Sequence, residues 1–173
     1  MERNTRVIYR SSSAYSYPLI INQLLHTPIL YAPNQESVYR DRARITYRSF
    51  YERVHRLASA LAALGVRPGD TVAVLDWDSH RYLECFFAVP MMGAILHTVN
   101  VRLSPDQILF TMNHAEDTVV LVNDEFLPML EGIADRLTTV RSYVLIKDAA
   151  DSPQTSLPLS GEYEELLAQA EPS

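Results

Sequence analysis

The residues of this sequence whose types could do chemistry lie mostly in four short polar stretches, each following an apolar run: Asp76–His80, His97–Arg102, Asn123–Glu125 and Lys147–Asp148. Asp76 and Asp78 have the composition of a magnesium pair, because a hard cation takes carboxylate oxygens. The plainer role is that one of them caps the helix that follows. His97, His114 and Glu116 offer metal donors, but their spacing fits no known ligand pattern, and ordinary strand-end and helix-end roles account for them. Ser79 and His80 are neighbours with no acid placed to orient the imidazole, so a hydrolase triad is unsupported. Cys85, the single cysteine, sits among Tyr82, Phe86 and Phe87, the setting of a buried inert thiol and not of a nucleophile. Asn100-Val101-Arg102-Leu103 stands between a strand end and a well-capped helix, where it can either fix the loop or touch a ligand.

Phosphate binding needs clustered glycines, whose backbone N–H groups can approach the anion, and usually a lysine. The five glycines are at 65, 69, 93, 132 and 161, none within three residues of another, and Lys147 is the single lysine. Neither a dinucleotide fingerprint nor a P-loop is present. The strand ends also read as acidic, which repels phosphate unless a metal intervenes.

These stretches need a scaffold, and the segment Gly69–Pro105 supplies its pattern. Thr71–Leu75 is a buried strand, a crossover helix follows the polar break, and Ala94–Leu96 is a second strand, which together make the unit of a parallel α/β sheet. Thr118–Val122 and Ser142–Ile146 continue the series, so strands begin near 71, 94, 118 and 142. Before this unit, Tyr47–Leu64 is the clearest helix. Phe50, Val54, Leu57, Ala58, Leu61 and Leu64 form its apolar face, and Arg48, Glu52, Arg53 and Arg56 lie mostly opposite. Thr46 is its N-cap and Gly65 its left-handed stop, and Arg67-Pro68-Gly69-Asp70 is a turn. Ser104-Pro105-Asp106-Gln107 opens another helix with a capping box. Asn123–Arg136 reads as one further helix, Leu19–His26 as a short one after Pro18, and Ser37–Arg40 with Arg44–Thr46 as a possible hairpin. Met1–Tyr15 reads as a loose arm, Asp148–Gly161 as a loop and Glu162–Ala170 as a terminal helix. The organisation expected is an amino-terminal arm (1–44), an α/β subdomain (45–148), and a loop with a short helix (149–173).

Bulk properties narrow the function. A chain of 173 residues with 47% apolar and 21% charged residues is ordinary globular protein. A net charge of −6 argues against nucleic acid as partner, since that affinity comes largely from a basic footprint. One cysteine permits no internal disulfide and suits a reducing, cytoplasmic setting. The start is charged and polar, without the apolar region of a secretion signal. The longest apolar run, Cys85–Leu96, is shorter than the ~20 residues a membrane span needs.

Taken together, Ile45-Thr46-Tyr47, Leu57-Ala58, Leu61, Leu64-Gly65-Val66, Pro68-Gly69-Asp70, Val72-Ala73, Tyr82-Leu83-Glu84, Gly93-Ala94, Asn100, Arg102-Leu103 and His114-Ala115-Glu116-Asp117 resemble, in order, the amino-terminal portion of the AMP-forming acyl-CoA synthetases. These belong to the adenylating superfamily shared with luciferases and peptide-synthetase adenylation domains. The resemblance covers about residues 18–148, and Leu96–Leu103 is similar in style to the medium- and long-chain fatty-acyl members. Asp78 stands where an Asn is common. The resemblance implies a fatty-acid–CoA ligase using ATP, magnesium and CoA, with fatty acid as substrate and a possible homodimer. The phosphate loop and catalytic lysine of that family have no counterpart in this sequence. No catalytic, cofactor-binding or metal role is therefore assigned to any residue here, and the segment is expected to be scaffold, inactive alone. The competing expectation is a stand-alone binding module with the same fold. A dinucleotide oxidoreductase is disfavoured by the missing glycine fingerprint.

Overall fold

A computed structural model describes residues 10–148 and 153–172. The expected arm over 1–9 and the loop over 149–152 lie outside the described residues. Five parallel strands form one sheet in the order β4-β3-β5-β6-β7. They are β3 (Thr71–Leu75), β4 (Ile95–Thr98), β5 (Asp117–Asn123), β6 (Ser142–Ile146) and β7 (Leu159–Glu162). A separate antiparallel hairpin pairs β1 (Glu36–Tyr39) with β2 (Ala43–Thr46). The helices are α1 (Gln23–Tyr31), α2 (Tyr47–Ala63), α3 (His80–Met91), α4 (Pro105–His114), α5 (Leu127–Glu131) and α6 (Tyr163–Gln169).

The near-continuous apolar runs of the central strands follow from helices covering both faces. Strand alternation divides their side chains between two cores. Val72, Val74, Val119, Leu121, Val144 and Ile146 pack with residues of α2, α3 and α6. Ala73, Leu75, Val120, Val122, Tyr143 and Leu145 pack with α4 and α5 on the other face. Every residue of β3 is buried, and each fully buried valine or leucine contributes roughly 1.5–3 kcal/mol before entropy is subtracted.

Several local expectations hold. The Ser49 N–H donates to Thr46 Oγ1 at 3.1 Å and caps α2. Gly65 at φ 90° ends it, with the Val66 N–H reaching back to the Leu61 carbonyl at 3.0 Å, the Schellman arrangement that only a residue without Cβ adopts cheaply. Ser104 and Gln107 form the expected capping box on α4.

Others are corrected. The first helix lies at Gln23–Tyr31 with Pro28 inside it, not at Leu19–His26. Leu19 is 96% exposed among the described residues, whereas Leu25 is buried against α2. Pro28 removes only the donor for the carbonyl of Leu24, an exposed residue whose carbonyl water can serve. The second sheet strand lies at Ile95–Thr98, later than Ala94–Leu96, which brings His97 into the ladder opposite Ala73. The stretch 123–136 is not one helix. Asn123 completes β5 and caps a 3-10 turn by accepting from the Glu125 N–H at 3.1 Å, after which Pro128 and Gly132 confine α5 to five residues. Part of the expected terminal loop is the fifth strand, β7, parallel to β6; only four residues long, it carried no periodic signal. Among the described residues no helix is long and apolar enough to cross a membrane.

Candidate functional site

In this strand order the chain leaves β3 for β4 on one side and returns to place β5 on the other. The crevice beyond the carboxyl ends of β3 and β5 is therefore the topological switch point, where open parallel sheets usually bind ligands. Three of the four polar stretches singled out in the sequence meet there. Trp77, His80, Arg81, Asn123, Asp124, Glu125 and Asp148 line a cleft of about 660 Å3, walled on its far side by Tyr39, Arg40, Arg42 and Ala43 of the hairpin. The fourth stretch, His97–Arg102, lies across β3 from it.

The floor of the crevice is closed by its own side chains. The Asn123 Nδ2 donates to Asp76 at 2.9 Å, and the Ser79 hydroxyl donates to the other oxygen of the same carboxylate. Trp77 Nε1 donates to Glu125 at 2.9 Å, and its ring rests on Phe126 with centroids 5.1 Å apart. Burial pushes the Asp76 carboxyl above its usual range, against the pull of Ser79 and Asn123. The cap of α3 is Ser79, whose Oγ accepts from the Tyr82 N–H at 3.1 Å. Neither Asp76 nor Asp78 is the cap, which corrects the sequence reading. Asp76 works one step behind, holding the hydroxyl that caps.

Of the strand-end acids Asp148 is the one met by arginines, and it ends a longer run of ion pairs behind the crevice. Glu84, fully buried in α3, receives Arg53 of α2 through two bonds of 2.6 and 3.1 Å and the Tyr163 hydroxyl at 2.7 Å. Arg53 also bonds Glu164 at 2.8 and 3.0 Å. Glu164 in turn accepts from Arg81 Nε at 2.8 Å, and Arg81 Nη1 reaches Asp148 at 2.8 Å. Asp148 finally pairs with Arg42 of the hairpin. One alternating chain of charges thus links α2, α3, α6, the end of β6 and the hairpin. Burial works against the charges of Arg53, Arg81, Glu164 and Asp148. For Arg53 the carboxylates of Glu164 and Glu84 outweigh burial and raise the guanidinium pKa. For Glu164, His80 at 3.8 Å and the bonds from Arg53 and Arg81 outweigh it and hold the carboxyl far below its usual range. Arg81 and Arg42 likewise outweigh burial at Asp148 and lower its carboxyl pKa.

These partners are separated by 31 to 111 residues in sequence, and pattern reading placed Arg53 on the solvent face of α2. One signal was available: Glu84 interrupts the apolar stretch Tyr82–Val89, and a carboxylate there requires a cation. Arg56, four residues from Glu52, points instead to the Leu167 carbonyl at the end of α6.

The remaining candidates separate. His97 Nδ1 lies 2.8 Å from the fully buried Asp117. Since a carboxylate only accepts, Nδ1 carries the proton in this bond. His114 stacks on Phe110 and Glu116 occupies a left-handed turn at φ 55°, so these three do not converge. Among the described residues no group of three metal-binding side chains occurs. Ser79 donates to Asp76 and not to His80. Cys85 is fully buried, and burial raises its thiol pKa well above the usual value. Asn100 Oδ1 accepts from the Arg102 N–H at 3.1 Å, which fixes the loop, and both residues stay exposed. Both oxygens of the Asp76 carboxylate are already engaged, by Ser79 and Asn123.

An α/β sheet of parallel strand–helix units with a cleft at its switch point defines the architecture, and comparison with known proteins gives it a family. Residues 29–172 match the AMP-binding enzyme family, and the chain belongs to it. It is 49% identical over 107 residues to a long-chain-fatty-acid–CoA ligase of Thermus thermophilus, covering 62% of this chain and 20% of that protein. A medium-chain-fatty-acid–CoA ligase of Ectopseudomonas oleovorans is 34% identical over 157 residues, 88% of this chain and 29% of the relative. Among solved structures, an anthranilate CoA ligase in complex with anthranoyl-AMP superposes with a TM-score of 0.78 and 25% identity, over 87% of this chain and 28% of that one. The chain spans less than a third of the length of each of these proteins.

Proposed function

We propose that this chain is the amino-terminal part of an ATP-dependent, AMP-forming fatty-acid–CoA ligase, in which it frames a site completed by other residues. The observation that carries this reading is the conjunction of two facts: the match over residues 29–172 to relatives named as fatty-acid–CoA ligases, and a strand-end crevice whose polar groups bind one another. In the full reaction a carboxylate attacks the α-phosphate of ATP and the thiol of CoA then takes the acyl group. The first step needs donors and cations that stabilise charge at the phosphates. With scattered glycines and the single lysine Lys147, this sequence supplies framework for that chemistry and not the phosphate cradle.

The test is fatty-acid-dependent ATP–pyrophosphate exchange. The 173-residue chain alone should give no exchange above a heat-treated control. A chimera in which the 157 residues matched to the Ectopseudomonas oleovorans ligase replace their counterpart in that enzyme should retain it. Exchange by the isolated chain would overturn the scaffold reading, and an inactive but folded chimera would overturn the assignment to this enzyme.

A second reading, a stand-alone binding module, draws on the two closed cores that cover both faces of the sheet. It predicts a monodisperse, cooperatively unfolding chain with no tendency to bind an apolar dye.

A further inference from the structure

We propose that the β1–β2 hairpin is a flap over the strand-end cleft, held shut at its tip by the Arg42–Asp148 ion pair and the contact of Tyr39 with His80. The hairpin is not part of the five-stranded sheet. A two-stranded ribbon is marginal in water by itself, so its position depends on what anchors it. At its base it is tied by backbone bonds, Tyr47 N–H to the Gln35 carbonyl and Arg48 N–H to the Pro33 carbonyl, both 3.0 Å. At its tip the anchors are side chains. Arg42 reaches Asp148, and the Tyr39 ring lies 5.5 Å from the His80 ring.

The two ends differ in strength. The base bonds are backbone bonds at the start of α2. The tip pair is exposed on the Arg42 side, at 57% of that side chain, and exposed pairs shift an equilibrium by only about two- to five-fold. The carboxylate it uses is shared: Asp148 also accepts from Arg81, which is nearly buried. Arg81 of α3 therefore holds Asp148 in place whether or not Arg42 is bound, so the tip can leave without disturbing the charge network behind it. What its departure uncovers is specific. Tyr39 lines both the 660 Å3 cleft and the neighbouring 290 Å3 groove along the start of α3, while Arg40, Arg42 and Ala43 wall the cleft alone. Trp77, the single tryptophan, lies in the cleft opposite them. The proposal does not depend on which reaction the family relationship implies.

The experiment measures hydrogen exchange of the hairpin amides and acrylamide quenching of Trp77 in the 173-residue chain. Arg42→Gln removes the latch and leaves Asp148 paired with Arg81. It should speed exchange across residues 38–44 by about two- to five-fold and raise the Trp77 quenching constant, with exchange in β3 and β5 unchanged. Raising the salt concentration should do the same to the parent chain and little to the variant. Arg44→Gln, which breaks a pair with Glu36 inside the hairpin, should leave Trp77 quenching unchanged. Equal effects of the two variants on quenching, no effect of Arg42→Gln on the hairpin, or acceleration that extends equally into β3 would each overturn the proposal.

Discussion

Arg53→Met is the most informative single change, because it isolates the cost of a charge the fold has already buried. Glu84 is inaccessible to solvent, and two of its three side-chain hydrogen bonds come from Arg53. Methionine fills much of the stem volume and restores none of the charge. Glu84 would keep the Tyr163 hydroxyl, which satisfies one lone pair and neutralises nothing. Removing one partner of a buried pair costs about 3–5 kcal/mol, most of it the penalty of the orphaned ion. Glu164 also loses two bonds, but it retains Arg81 and water, so the lower part of that range applies, about 3 kcal/mol. With a urea m-value near ~2 kcal/mol/M, the unfolding midpoint should fall by about 1.5 M at constant m. The double variant Arg53→Met/Glu84→Leu removes the ion together with its counter-ion and should recover most of that loss. A midpoint within about 0.3 M of the parent for Arg53→Met, or a double variant less stable than the single one, would refute the reasoning.

Asp117 should give a pH dependence of opposite sign to the usual carboxylate. Burial raises its folded pKa, with His97 opposing, so its contribution to stability is complete below the unfolded value of about 3.9 and is lost as pH rises through the raised folded value. Asp117→Asn, which can still accept from His97 Nδ1, should flatten that part of the stability curve in urea titrations. Ser79→Ala removes the α3 cap and one donor to Asp76 and should cost about 1–2 kcal/mol by the same measurement. Gly93→Ala should destabilise by about 1–2 kcal/mol. The backbone there has φ 80° and an added Cβ would stand 3.2 Å from Pro68.

Local chemistry was legible in the sequence where a few neighbouring residues decide the outcome. Thr46, Gly65, the Arg67–Asp70 turn and the Ser104–Gln107 box fall as their types dictate, and so do β3 and β6. Reading failed where the deciding partner is far along the chain. Leu19 and Ile20 look like a buried helix face, but among the described residues no element covers them. Asp76 looks like a cap until Asn123, 47 residues on, takes one of its oxygens. The pairing of Asp148 was not legible because Arg42 belongs to a hairpin whose placement no local pattern predicts. The location of the cleft was legible from the parallel-sheet rule alone. Its hairpin wall was not, since nothing in residues 36–46 says where the ribbon docks.

The charge chain also sets a timetable. Its last acid, Glu164, lies 83 residues after Arg81 and 111 after Arg53. At a synthesis rate of ~5–20 residues per second, roughly 4–17 s separate the emergence of Arg81 from that of its partner. During that interval α2 and α3 can meet, yet Arg81 has no Glu164 and Glu84 lacks the Tyr163 hydroxyl. The arrival of α6 is thus what completes the ion pairs of α2 and α3. Ribosome-bound intermediates ending before residue 163 should stay open to protease at α2 and α3, and become resistant only when α6 arrives.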